Sequence, residues 1–113
     1  MKYFDIDEFR CTYSGNNHMD EGFLEKLDAL RHECGFPFYI TSGYRSPNHP
    51  AEEKKEKPGT HSQGIAADIF ISDVEKRYVI LKKAIEMGFT GIGVAKSFIH
   101  VDTRDDSPRI WTY

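Results

Sequence analysis

The chain has 113 residues, 39% of them hydrophobic and 29% charged, with a formal net charge of −3. That length builds one compact domain around one core, residues 1–113, and is too short for two. The composition excludes a disordered chain, the acidic balance removes the electrostatic case for a nucleic-acid partner, and no apolar run approaches the roughly 20 residues that span a bilayer. The opening Met1-Lys2-Tyr3-Phe4-Asp5-Ile6-Asp7-Glu8 has acids where a secretory leader carries its apolar centre. Synthesis in the cytoplasm without a signal peptide, no membrane partner and a monomeric state are therefore expected.

Residues 3–13 hold Phe4, Ile6, Phe9 and Cys11, an edge segment or short helical turn packed onto the core, and Ser14-Gly15-Asn16-Asn17 is a turn cluster. From about Asp20 to Cys34, Phe23, Leu24, Leu27, Leu30 and Cys34 recur at helical spacing, and Gly35 supplies the stop. His18 and His32 read as solvated surface histidines. Two cysteines are too few for a disulfide framework. Cys34 reads as a buried free thiol, with a bridge to Cys11 left open. After Pro37 a short strand, Phe38 to Thr41, runs into Ser42-Gly43-Tyr44-Arg45-Ser46-Pro47. An arginine on such a turn is placed to offer its guanidinium fork to a carboxylate or carbonyl. Residues 48–60 form a polar loop in which Glu52-Glu53-Lys54-Lys55-Glu56-Lys57 reads as a solvated, mobile run, although it stands where one wall of a cleft would be. His49 is a lesser candidate for the site.

His61-Ser62-Gln63-Gly64-Ile65-Ala66-Ala67-Asp68 places an imidazole and a carboxylate seven positions apart, with small residues between them. Asp68 opens onto Ile69-Phe70-Ile71, a strand pattern, which puts His61 in the loop before it. Ser72-Asp73-Val74-Glu75 has the form of a capping box, followed by a helix with Val74, Tyr78, Leu81 and Ile85 expected inward and Gly88 as its end. Gly91 to Ala95 and Phe98 to Asp102, separated by Lys96-Ser97, read as a β-hairpin. Side chains alternate along a strand, so His100 and Asp102 share one face while Ile99 and Val101 share the other. The tail from Thr103 to Tyr113, with Arg104, Arg109 and Trp111, is expected to close the sheet edge.

A histidine and an aspartate on the polar face of an otherwise apolar strand need a partner, and a metal would supply one. His61, Asp68 and His100 would give three ligands and leave a fourth position open, the pattern of a catalytic rather than a structural zinc site. Zinc acidifies a water held in such a position to a pKa of about 7, and Arg45 is placed to hold an anionic group or a developing oxyanion. The chemistry this suits is amide-bond hydrolysis of a peptide.

Ser42-Gly43-Tyr44-Arg45-Ser46, His61 to Ile69, and Gly91-Ile92-Gly93 with Phe98-Ile99-His100-Val101-Asp102 together resemble the zinc D-alanyl-D-alanine carboxypeptidase family. That family includes VanX- and VanY-type enzymes, phage L-alanyl-D-glutamate endolysins and the related hedgehog signalling domain. The resemblance runs over roughly residues 20–103. It implies a small α+β fold, a short antiparallel sheet flanked by helices with Zn²⁺ in a cleft on the sheet. It implies His61, Asp68 and His100 as ligands, Arg45 as the substrate-orienting arginine with Ser42 and Tyr44 beside it, and the peptidoglycan stem peptide as substrate. The compact chain is similar to phage-encoded members, which act at the bacterial cell wall.

One departure stands out. Members of the family carry a catalytic glutamate or aspartate three residues before the last ligand, or a histidine two before it, and those positions here hold Ser97 and Phe98. Asp102 is the nearest replacement base, and the other reading of Asp102 is that it orients a ligand from behind. With neither a base nor a substitute, the domain would be a catalytically silent zinc-binding module or phage structural component.

Overall fold

A computed structural model describes residues 1–52 and 59–113. The expectation of a solvated run over residues 53–57 lies outside the described residues. A 3-10 turn, Ile6–Phe9, is capped at both levels, since Asp5 accepts from the Asp7 amide and Glu8 accepts from the Asp5 amide. The turn drives Phe9 into the core, edge-on to Phe4. Helix α1, Glu21–Cys34, begins where the Asp20 carboxylate accepts from the Phe23 amide at 2.9 Å and ends at Gly35 in the left-handed conformation. Buried Asp28 on α1 ties down the N-terminal segment by accepting from the amides of Lys2 and Tyr3.

Five strands follow: β1 Tyr39–Ser42, β2 Ala66–Phe70, β3 Gly91–Val94, β4 Phe98–Asp102 and β5 Arg109–Thr112. Helix α2, Val74–Glu86, lies between β2 and β3. The sheet order is β1-β2-β4-β3-β5. The expected β3–β4 hairpin is present, closed by the Ala95 amide donating to the Phe98 carbonyl. All pairs are antiparallel except β3–β5, so the sheet is mixed and the tail closes its edge in parallel. The architecture is α+β.

Alternation sorts the sheet into two faces. Ala67, Ile69, Ile92, Ile99 and Val101 are buried against Leu24, Leu27, Ile80 and Ala84 of the two helices, which also pack on each other. Sealing a branched aliphatic side chain such as Ile99 contributes about 1.5–3 kcal/mol. The opposite face carries Asp68, His100 and Asp102.

Helix α2 departs from expectation in two ways. Its N-cap is Asp73, which accepts from the Lys76 amide at 2.9 Å, one residue later than a Ser72 box would begin. Its buried residues are Ile80 and Ala84, while Val74, Tyr78 and Ile85 are exposed and Leu81 is half-buried. The cause is Arg77, whose guanidinium donates to the carbonyls of Ile71 and Ala95 and so turns its own side of the helix toward the sheet. Cys11 is buried and Cys34 half-buried, and both thiols are free. Among the described residues, no helix is long and apolar enough to cross a membrane.

Candidate metal and catalytic site

The site is built on one row of residues crossing the whole sheet. Ser42 on β1 pairs with Asp68 on β2, Asp68 with His100 on β4, His100 with Gly93 on β3, and Gly93 with Trp111 on β5. A bulge in β1 between Ile40 and Ser42 brings Ser42 into this register. The next row puts Asp102 opposite Gly91. The two glycines of Gly91-Ile92-Gly93 face the site while Ile92 enters the core. A Cβ on Gly91 would sit 2.2 Å from the Asp102 carboxylate oxygens, and one on Gly93 would sit 2.7 Å from the Trp111 indole nitrogen. Both positions need glycine because a side chain from the neighbouring strand lies flat across them.

His61 reaches this row from the loop before β2. Its Nδ1 lies 2.7 Å from the Gly43 carbonyl, which can only accept, so Nδ1 carries the proton and Nε2 presents its lone pair. That lone pair faces Asp68 Oδ1 at 3.3 Å, and His100 Nδ1 faces the same oxygen at 2.9 Å. Behind His100, its Nε2 lies 2.7 Å from Asp102 Oδ2. The donor atoms of His61, Asp68 and His100 all fall within 4.8 Å of one another, and all three residues are buried. Ligands at about 2.0–2.2 Å from a tetrahedral zinc stand about 3.4 Å apart, so the donor set and its spacing fit that ion. Each histidine also has its second nitrogen fixed, one by a carbonyl and one by a carboxylate, as metal-ligating histidines do.

The electrostatics of the site are compatible with a cation. Burial pushes Asp68 up, but the hydrogen bond from His100 and the imidazole of His61 beside it outweigh burial and hold the carboxyl well below the usual range. Burial likewise pushes Asp102 up, and His100 with Arg104 brings it well below that range. Burial pushes His100 down, yet Asp102 and Asp68 on its two sides raise it above its ordinary value. Asp102 is itself fully enclosed: the Arg104 guanidinium clamps it with Nε to Oδ1 at 2.9 Å and one terminal nitrogen to Oδ2 at 2.7 Å, and the Arg104 amide adds a third bond.

A cleft of about 610 Å³ opens over Asp68 and His100, walled by Arg45, Thr60 and Gln63 on one side and Phe98, Trp111 and Tyr113 on the other. Arg45 donates from Nε to Ser42 Oγ at 3.2 Å, and its terminal nitrogens lie 3.7 Å from Asp68 Oδ2 and from Glu52 Oε2. Ser42 thus acts on Arg45. Tyr44 is buried edge-on against His18 and does not line this cleft. His49 lies edge-on to Tyr13 and is also outside the cleft, while His32 bonds the Tyr3 hydroxyl.

Three features of the site had little or no sequence signal. Glu52, expected in a solvated run, is 4% exposed and accepts from the Gly59 amide and Ser62 Oγ, each at 3.0 Å. Arg104 stands over the Trp111 ring at 4.9 Å while clamping Asp102. Trp111 and Tyr113 line the cleft, although only the tail's edge role was legible; the alternating glycines of β3 were the available clue.

No curated protein matches the chain. The family model described as Peptidase M15 matches residues 2–102, which takes in every element from the 3-10 turn through β4 and all three converging side chains. The segments that carry the resemblance, the α+β fold and this match agree: the chain belongs to the peptidase M15 family of zinc enzymes.

Proposed function

We propose that the protein is a zinc-dependent peptidase hydrolysing peptidoglycan stem peptides, as a D,D-carboxypeptidase or an L-alanyl-D-glutamate endopeptidase acting at the bacterial cell wall. The observation that carries this reading is the convergence of His61 Nε2, His100 Nδ1 and Asp68 on one point beneath an open cleft that also holds Arg45. His61, Asp68 and His100 would hold the ion, which when bound supplies Lewis-acid chemistry, polarising a carbonyl and making water acidic enough to attack at neutral pH.

The chain's own residues do the rest. The Gly43 carbonyl keeps the His61 proton on Nδ1, so Nε2 stays available as a ligand. Asp102 accepts a hydrogen bond from His100 Nε2–H and so leaves Nδ1 to face the site. Its enclosure and its place on the far edge of the His100 ring favour this orienting role over that of general base. Arg45, drawn toward Ser42, Asp68 and Glu52, presents a guanidinium to a substrate carboxylate or carbonyl.

A second reading, a silent zinc module that binds peptide or a partner, draws support from Ser97 and Phe98 at the base positions and from the sealing of Asp102. One experiment separates the two: release of amino acid or peptide from purified peptidoglycan, with zinc content measured on the same sample. Release that stops with chelator and returns with zinc supports the peptidase, and the product identifies the bond. One equivalent of zinc with no release from several wall chemotypes favours the module.

A further inference from the structure

The strand β5 lies beyond the residues matched by the family, yet it supplies a wall of the cleft. Trp111 sits in the same cross-strand row as His100, with its ring 5.3 Å from the imidazole. Tyr113 is two residues further on, and its ring lies 5.1 Å from Phe98, itself two residues before His100. The polar tips of both side chains meet over Gly93: a Cβ there would be 2.7 Å from the Trp111 nitrogen and 2.8 Å from the Tyr113 oxygen. The two tips are therefore neighbours on the floor of the cleft.

An indole N–H can only donate, so the Trp111 tip beside the Tyr113 oxygen never competes as an acceptor for the phenol's own proton. The hydroxyl is tucked over Gly93 within the cleft that holds Asp68 and Arg45, although the residue as a whole is exposed. Burial, with Asp68 adding to it, raises the Tyr113 phenol above its ordinary value, so it remains a donor at neutral pH. The row order sets Arg45, on the β1 side, and Tyr113, on the β5 side, at opposite flanks of the Asp68–His100 pair. A cation flanks one side of the site and a neutral donor the other.

We propose that Tyr113 is a catalytic hydrogen-bond donor, its hydroxyl set beside the Trp111 indole over Gly93 and offered to the carbonyl oxygen of the amide being cleaved, where negative charge develops. Trp111 is a positioning residue that acts through Tyr113. The inference rests on the peptidase reading, and its test is built to fail separately from it.

Zinc-loaded wild type, Tyr113→Phe, Trp111→Phe and the double variant are compared on soluble muropeptides, with kcat, KM and zinc content measured for each. Removing a donor of this kind lowers kcat by about 10²–10³-fold. Tyr113→Phe is expected to show that loss with KM and zinc content unchanged. Trp111→Phe keeps a ring but loses the N–H, so its kcat falls less, and the double variant is no worse than Tyr113→Phe alone because the two act as one unit. An active wild type with Tyr113→Phe within twofold of it, or a rise in KM alone, overturns the donor and leaves the peptidase standing. A wild type that releases nothing overturns both.

Discussion

The two faces of β4 make the most instructive comparison in this molecule. Ile99 and Val101 point one way and are sealed at 0% exposure by other hydrocarbon, a solution that needs nothing from outside the chain. His100 and Asp102 point the other way and are sealed almost as fully, at 4% and 0%, but by charge pairing. Buried charges are costly unless they are paired and hydrogen-bonded. The core face is self-sufficient, whereas the cleft face, with two carboxylates on either side of one imidazole, calls for a cation. The same backbone thus carries a stability face and a chemistry face, and adjacent substitutions should separate them.

The largest effect is expected on the cleft face. His100→Ala or His61→Ala should abolish zinc uptake and hydrolysis together, measured by metal analysis and product release. Ile99→Ala, one residue away, should lower unfolding stability by about 2–5 kcal/mol while zinc stoichiometry stays at the wild-type value. Full zinc binding in His100→Ala would remove that histidine from the ligand set. Next in size is Asp102→Asn. Outer partners of a metal-bound histidine are worth about 10–100-fold in metal affinity, and that is the loss expected from competition with a chelator. Undiminished zinc affinity with turnover gone would instead make Asp102 the base.

Much of this division was legible in the sequence because strand periodicity is strict. Phe98-Ile99-His100-Val101-Asp102 allows only one sorting of its side chains, and that sorting is the one observed. The helix α2 was legible in its extent and not in its phase. Val74, Tyr78 and Ile85 offer an apolar stripe, but Arg77 wins the inward position through two backbone carbonyls, one just upstream at Ile71 and one beyond β3 at Ala95. Glu52 was hidden by its neighbours in a charge run, since burial there depends on the loops carrying Gly59 and Ser62 folding over it. Trp111 and Tyr113 join the site only through a parallel pairing of β5 with β3, a contact that no local pattern encodes.

Acidity gives a third way to separate the faces, because the core face does not titrate. In the metal-free protein Asp68 and Asp102 have lowered pKa values, so their contribution is present above the ordinary carboxylate value and is lost as pH falls through the lowered ones. His100 is raised, so its contribution is present below its ordinary value and is lost as pH rises through the raised one. Both shifts report the same carboxylate–imidazole pairing. Thermal stability of the metal-free protein should therefore peak between about pH 4 and 6.5, with ordinary carboxylate and imidazole values as the limits. With zinc bound, His100 Nδ1 is occupied by the ion and the alkaline loss should disappear. An alkaline limb that persists unchanged under saturating zinc would show that His100 does not ligate.

The last effects are expected around Arg45, which the proposed reading sets to hold substrate rather than the ion, and Glu52, which would act through Arg45. Arg45→Ala removes a charged donor, and hydrogen bonds to charged groups are worth about 1.5–3 kcal/mol, so KM should rise by about 10–100-fold with zinc content unchanged. Glu52→Gln is subtler. The amide oxygen still accepts from the Gly59 N–H and Ser62 Oγ, so these two bonds should hold, while the charge 3.7 Å from Arg45 is lost. Asp68 and Ser42 continue to restrain the guanidinium. An ion pair at that separation contributes up to about 1 kcal/mol, which sets the expected rise in KM at up to about fivefold, with kcat and zinc content unchanged. A fall in zinc content instead would mean that Glu52 holds the loop carrying His61 and that its charge, not its shape, keeps the ligand in place.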